Sequence, residues 1–163
     1  MDEPILIRPL RPEDAGALHG IRLQPSVLAG TLALPSDRLA DFRARQERYG
    51  PDDHLFVAEA GGHVVGAAGL HVGRGKKRHA GEIGMLVDEA WQGRGVGGLL
   101  LAALLDLADG SLGLTRVELE VVADNERAVR LYERHGFETE GRKRGAIRRP
   151  GGLADLLVMA RLR

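Results

Sequence analysis

Met85-Leu-Val-Asp-Glu-Ala-Trp-Gln-Gly-Arg-Gly-Val-Gly-Gly-Leu-Leu-Leu101 reads as the end of a strand, a short loop and the opening of an apolar helix. The strand character stops near Asp88, and Trp91 and Gln92 sit in the loop. Gly93, Gly95, Gly97 and Gly98 then lead into the helix. A helix start presents N–H groups without internal partners and carries a partial positive charge. Glycines remove the side chains that would hold an anion away from those groups. The stretch is therefore a candidate seat for a phosphate-bearing ligand. The plainer alternative is a flexible turn ahead of a buried helix, at an entropic cost with no packing return.

Working outward, residues 80–88 alternate as a strand, with Glu82, Gly84 and Leu86 on one side and Ile83, Met85 and Val87 on the other. Residues 95–109 form a helix apolar nearly all round, expected to be covered on both sides. Downstream come a strand over residues 115–122 and a helix over residues 124–135, capped by Asp124 or Asn125 and followed by Gly136. Two strands follow, over residues 137–147 and 153–162. Upstream lies a hairpin, residues 55–58 and 64–70 about a Gly61-Gly62 turn. Before it come a strand at residues 5–8, a helix at 11–23 with Pro12 in its first turn, a connection at 24–36 and a helix at 37–49. In that second helix Leu39, Phe42, Ala44 and Tyr49 are the expected inner residues. Such an order predicts an α/β (α+β) chain: a mixed, mostly antiparallel sheet of six to seven strands with helices on both faces.

The 163 residues favour one domain, residues 1–163, and a 44% hydrophobic content supports a real core. Lys plus Arg and Asp plus Glu are both 23, so overall charge gives no case for nucleic acid or an anionic membrane as partner. With no cysteine, a disulfide framework and a thiolate nucleophile are excluded. Six histidines are scattered without zinc-type spacing, so no metal is expected. The acidic start, Met1-Asp-Glu-Pro-Ile-Leu-Ile-Arg8, lacks the apolar core of a signal peptide, and no run is long enough to span a bilayer. A cytoplasmic address is the expectation.

Three phosphate-loop readings compete. A Walker loop fails, because Gly75-Lys76-Lys77 lacks the leading Gly and the hydroxyl. Gly93-x-Gly95-x-x-Gly98 fits the dinucleotide fingerprint, with Glu118 or Glu120 as the ribose acid. Yet residues 89–93 separate strand from turn, and too little chain follows for that domain. The third reading, Gln92-x-x-Gly95-x-Gly97, resembles the pyrophosphate motif Gln/Arg-x-x-Gly-x-Gly/Ala of the GCN5-related N-acetyltransferase (GNAT) superfamily. Asn125-Glu-Arg-Ala128-Val-Arg-Leu-Tyr132-Glu-Arg-His-Gly136-Phe137 resembles a second block of that family. The likeness runs over residues 5–162, and the element order is that of its fold.

The resemblance implies acetyl-CoA as co-substrate, no metal, and direct attack of a primary amine on the thioester. It implies pyrophosphate contacts from the backbone of Gln92, Gly93, Arg94, Gly95, Val96, Gly97 and Gly98, and contacts from Asn125 and Ala128 near the cofactor arm. The pantetheine arm would pair with the strand edge at Leu86 and Val87, beside a bulge marked by Gly84. Tyr132 becomes the candidate general acid, a phenol being protonated at neutral pH; alone it would read as a core tyrosine. Asn125 is equally a plain helix cap. Glu82 stands near the place of the family's base, where half-burial would raise its pKa; the alternative is a solvent-facing glutamate. His71 and His79 are weaker candidates for the same role, and residues 74–78 form a basic loop able to meet the CoA 3′-phosphate or simply solvent.

Residues 24–36, with segments at 140–143 and 159–161, look like a bacterial subgroup acetylating free amino acids, with Leu28, Thr31 and Leu32 lining the acceptor pocket. A polyamine or a protein N-terminus remains as acceptor, as do a catalytically silent acetyl-CoA-binding module and a nicotinamide enzyme. Family members often form homodimers, and the apolar 153–159 segment is compatible with that.

Overall fold

The computed structural model describes residues 3–163; Met1 and Asp2, part of the acidic start, lie outside them. Seven strands form one sheet: β1 (Ile5–Pro9), β2 (Asp53–Ala60), β3 (His63–Val72), β4 (Ala80–Val87), β5 (Arg116–Val122), β6 (Glu138–Arg149) and β7 (Gly152–Leu162). Their order is β1-β2-β3-β4-β5-β7-β6, and among neighbours only β4 and β5 run parallel. A parallel pair needs a crossover long enough to return the chain to the same end. Helix α4 (Val96–Asp109) supplies it.

Helices cover both faces, as the alternation predicts. On one face α4 and α5 (Glu126–Arg134) pack on Ala58, Ala68, Leu70 and Ile83. On the other, α1 (Ala15–Arg22), α2 (Pro25–Ala29) and α3 (Leu39–Gln46) bring Leu18, Ile21, Val27 and Phe42 onto Val57, Ala67 and Leu86. The partition in β4 follows residue parity: Ile83, Met85 and Val87 join the α4 side and Leu86 the α1 side. Leu100, Leu101 and Leu104 are wholly buried, each worth about 1.5–3 kcal/mol relative to exposure.

Several expectations are corrected. Helix α4 is not covered all round: Leu99 is 45% exposed on its outer side. The connection at 24–36 contains α2, started by Pro25 at a position where its missing N–H costs nothing. Helix α3 is shorter than expected and buries no residue fully; Tyr49 lies beyond its end and is 41% exposed. Charged residues flank its apolar positions, and Leu39, Phe42 and Ala44 are only half-buried. Gly61 and Gly62 both adopt positive φ, which the two-residue hairpin turn requires.

Helix α1 is pinned to β1 by a buried ion pair. Asp14, 5% exposed, accepts from Arg8 at 2.8 and 2.9 Å and from the Arg11 N–H at 2.7 Å. Chiefly through the Arg8 hydrogen bonds, its carboxyl is held below the usual carboxylate range.

Candidate active site

Strands β4 and β5 pair only from Ala80–Glu82 against Arg116–Glu118. Beyond those three positions they diverge, and a cleft of about 880 Å³ opens between residues 83–87 and 120–122. No bulge at Gly84 causes this, contrary to expectation: the register of β3 on β4 is unbroken from Val72↔Gly81 to Gly66↔Val87. Gly84 instead faces open space, with no atom within 4 Å of where its Cβ would stand.

The direction of each β4 amide follows from the two ends of the strand. Gly73 N–H donates to Ala80 O at 2.9 Å, and Asp88 N–H donates to Val65 O at 2.9 Å. Main-chain groups of a strand alternate in direction, so even-numbered residues from 80 to 88 bond β3. The Leu86 amide is therefore directed at β3, while those of Met85 and Val87 point into the wedge. Val87 O is occupied by Gln92 Nε2 at 3.1 Å, which leaves the Val87 N–H.

At the head of the cleft the chain turns through a one-turn 3-10 helix, Glu89–Trp91, capped by Asp88 Oδ1 accepting from the Ala90 N–H. Gly93 (φ 77°) and Gly95 (φ 84°) both lie in the left-handed region, and neither has an atom within 4 Å of a built Cβ. Gly97 differs: a Cβ there would stand 3.2 Å from Leu131 and 3.5 Å from the Met85 sulfur, so it serves the close approach of α4 to α5 and β4. No side chain caps α4, and the N–H groups of Gly95, Val96, Gly97 and Gly98 find no acceptor among the described residues. The Gln92 N–H is spent on Glu89 O at 3.4 Å, so the free donor set begins after it. The exposed Arg94 stacks on Trp91, 4.9 Å from the ring centre.

This turn is laced to α2. Gln24 bonds Asp88 at 3.1 Å and the Glu89 N–H at 2.9 Å. The Ser26 N–H donates to Glu89 at 2.6 Å, and Gln92 donates to Ser26 Oγ at 3.2 Å.

The wall opposite comes from α5. Asn125 Oδ1 caps the helix through the Ala128 N–H at 3.2 Å, while its Nδ2 lies toward Gly30, and Asn125 and Ala128 both line the cleft. One turn on, Tyr132 lines it too; 8% exposed and edge-on to Phe137, its phenol is pushed up to about 12 by burial. Arg127, Arg134 and Arg149 border the same end, and sequence reading passed over all three. The basic loop at 74–78 is not part of the lining.

The far half of the cleft is walled by Leu18, Arg22, Phe42, Gln46, Tyr49, Leu55 and His71, with Thr31 and Leu32 at the rim. Leu32 is 77% exposed, and Leu28 does not reach the cleft. Glu82 does not line it either, and it is exposed rather than half-buried. Register explains its place: Asp53, His71, Glu82 and Glu118 stand opposite one another across β2, β3, β4 and β5. The next row on that face, Leu55, Gly69 and Gly84, has two glycines and forms the cleft floor. His71 Nδ1 meets Asp53 Oδ1 at 2.6 Å. The Gly50 N–H and then His71 hold the Asp53 carboxyl below its usual range. His71 Nε2 lies 3.1 Å from where a Cβ on Gly69 would be, over that floor. His79 lies outside the lining. Among the described residues no His, Cys, Asp and Glu cluster suits a metal, and no helix is long and apolar enough to cross a membrane.

A sheet wedged open beside a helix start with four free N–H groups, and a buried phenol across the gap, defines an acyl-CoA-dependent N-acetyltransferase. Residues 13–137 match the acetyltransferase (GNAT) family, and the chain belongs to that family. Members use acetyl-CoA as co-substrate. The chain is 33% identical over 162 residues to the L-amino acid N-acetyltransferase AaaT of Escherichia coli (strain K12), covering 98% of both. It is 39% identical over 117 residues to the N-alpha-acetyltransferase RimI of Mycobacterium tuberculosis (strain ATCC 25618 / H37Rv), covering 71% of this chain and 70% of that one. A GCN5-related N-acetyltransferase from Kribbella flavida superposes with a TM-score of 0.84 at 27% identity, covering 98% of each chain.

Proposed function

We propose that this chain is a cytoplasmic enzyme, one domain over residues 1–163, that acetylates the primary amine of a free amino acid or amino-acid analogue with acetyl-CoA. The carrying observation is the row of partnerless N–H groups at the head of α4, opening into the β4–β5 wedge. Those donors, from Gly93, Arg94, Gly95, Val96, Gly97 and Gly98, fit a diphosphate. Gln92 braces the turn through its side chain, and Asn125 and Ala128 flank the arm. The co-substrate supplies an activated acetyl thioester; an amide N–C bond forms and the thioester C–S bond breaks.

Each remaining task has a group within the cleft. The Val87 N–H faces the wedge and polarises the carbonyl oxygen as negative charge builds. Tyr132 donates a hydrogen bond to the departing sulfur. The burial that keeps its proton on oxygen also makes complete transfer uphill, so its contribution lies in that charge-assisted bond. For the proton lost by the amine, Glu82 is the residue the family resemblance offers. The geometry favours His71, which lines the cleft and is oriented by Asp53, whereas Glu82 is exposed and outside it. Thr31 and Leu32 border the acceptor, while Leu28 acts only through the fold of α2. A homodimer belongs to the same proposal, with the exposed Leu153 of β7 as a contact.

The relatives support both a free amino acid and a protein N-terminus as acceptor; the full-length coverage of the first favours the former. A silent binding module gives the Tyr132 phenol only a packing role beside Phe137, and turnover separates the two readings. Two measurements test the proposal. CoA should raise the thermal midpoint and NAD(P) should not. Free-thiol release should then appear with amino acids, in a panel that includes polyamines and N-terminal peptides. Thiol release with polyamines or peptides alone would replace the acceptor; no response to CoA would remove the proposal.

A further inference from the structure

Arg22 ends α1 and lines the acceptor half of the cleft, its side chain 22% exposed. It is set apart from the other structural arginines. Arg8, Arg116, Arg142 and Arg161 each hold a carboxylate within 2.8 Å. The nearest carboxylate to Arg22, that of Asp37, is 3.6 Å from Nε, too long for a hydrogen bond. The same Asp37 oxygen lies 3.8 Å from Arg45, so two guanidinium groups share one carboxylate and a positive charge is left over. Arg22 Nε is buried without an acceptor, and among the described residues it is the one side-chain atom in that condition. An unbonded donor of a charged group is costly unless something completes its surroundings.

The same chamber is lined by His71, which Asp53 holds, and by Tyr49, whose ring lies 5.7 Å from His71 and feels the charges of Asp53, Arg45 and Arg22. The chamber thus holds a surplus cation from α1 and an anion-backed imidazole from β3, with the apolar Leu18, Phe42 and Leu55 in the same lining.

We infer that Arg22 anchors the carboxylate of a zwitterionic acceptor, whose ammonium group lies toward His71 and whose side chain rests on the apolar wall. The inference rests on the acetyltransferase reading and narrows it: the acceptor class is an amine bearing an oxyanion a few bonds away, and polyamines and amides are disfavoured.

The test compares methionine with methioninamide in wild type, R22M and R22K. Wild type should prefer the acid. In R22M the ratio of kcat/KM for methionine over methioninamide should fall about 10- to 100-fold, the loss appearing in KM, with R22K keeping part of the preference. Calorimetric titration of methionine into wild type and R22M in the presence of CoA reads the anchor without turnover, and thermal midpoints check the fold. Equal losses on both acceptors, an unchanged ratio, or methionine binding that R22M does not weaken would overturn the anchor. In those outcomes thiol release by wild type still reports whether the acetyltransferase reading stands.

Discussion

The two ends of the cleft are made by opposite means. The head is a single run of chain, residues 88–98, whose open groups are main-chain N–H donors exposed by missing side chains. The proposed acceptor chamber is made of side chains from α1, α3, β2 and β3 that meet only after folding. The first kind of site is tied to backbone conformation and tolerates almost no substitution. The second is tied to side-chain chemistry and can change specificity without touching the frame.

The hardest blow to this contrast is Gly95→Val. A branched side chain is strained at φ 84° and would stand in the open space above the donors. We expect the KM for acetyl-CoA to rise by about 1,000-fold, through loss of two or more charge-assisted bonds, and CoA to stop raising the thermal midpoint. An unaltered KM would show that the head does not hold the co-substrate. Tyr132→Phe comes next: kcat should drop by about 100-fold while CoA affinity, read by calorimetry, shifts by less than about 2-fold. Loss of affinity instead of turnover would make Tyr132 a packing residue.

The chamber is sharpened by a pair of variants. His71→Asn should lower kcat/KM by about 50-fold at neutral pH, with the deficit shrinking toward pH ~9 as more of the amine is already neutral. Glu82→Gln should cost less than about 3-fold, consistent with its exposed position. The reverse ranking in steady-state assays returns the base to Glu82. The smallest effect belongs to Asn125→Ala, which removes the α5 cap at about 1 kcal/mol, measurable by urea unfolding. A rise in acetyl-CoA KM well beyond that would show that its Nδ2 also serves the ligand.

What could be read from the chain divides along the same line. The glycine turn, the α5 block and the parity of β4 are local: each depends on a few neighbouring residues and a fixed period, and each appears in the structure where the spacing puts it. The direction of the Leu86 amide needed one more fact, the register of β3 on β4. Glu82 shows the limit of parity. Its side of the strand was legible, but its exposure was not, because coverage depends on where α1 to α3 end over the sheet. His71 was legible as a weaker candidate base beside the basic loop, but Arg22 and the pairing of Asp53 with His71 left no local trace. Arg22 and Asp53 stand 49 and 18 residues before His71 along the chain, and only strand pairing and helix packing assemble the three. Of the arginines bordering the α5 end, Arg149 was missed for the same reason, while Arg127 and Arg134 lie within the α5 block and were passed over there; the basic loop at 74–78 is outside the lining.

The lacing of Gln24 and Ser26 to Asp88, Glu89 and Gln92 has a mechanical consequence. Two loops sewn together lose their freedom together. Order imposed on the glycine turn is thereby passed to α2, and disorder likewise. Cutting the stitches, by replacing Gln24 and Ser26 with alanine, should therefore loosen both segments at once.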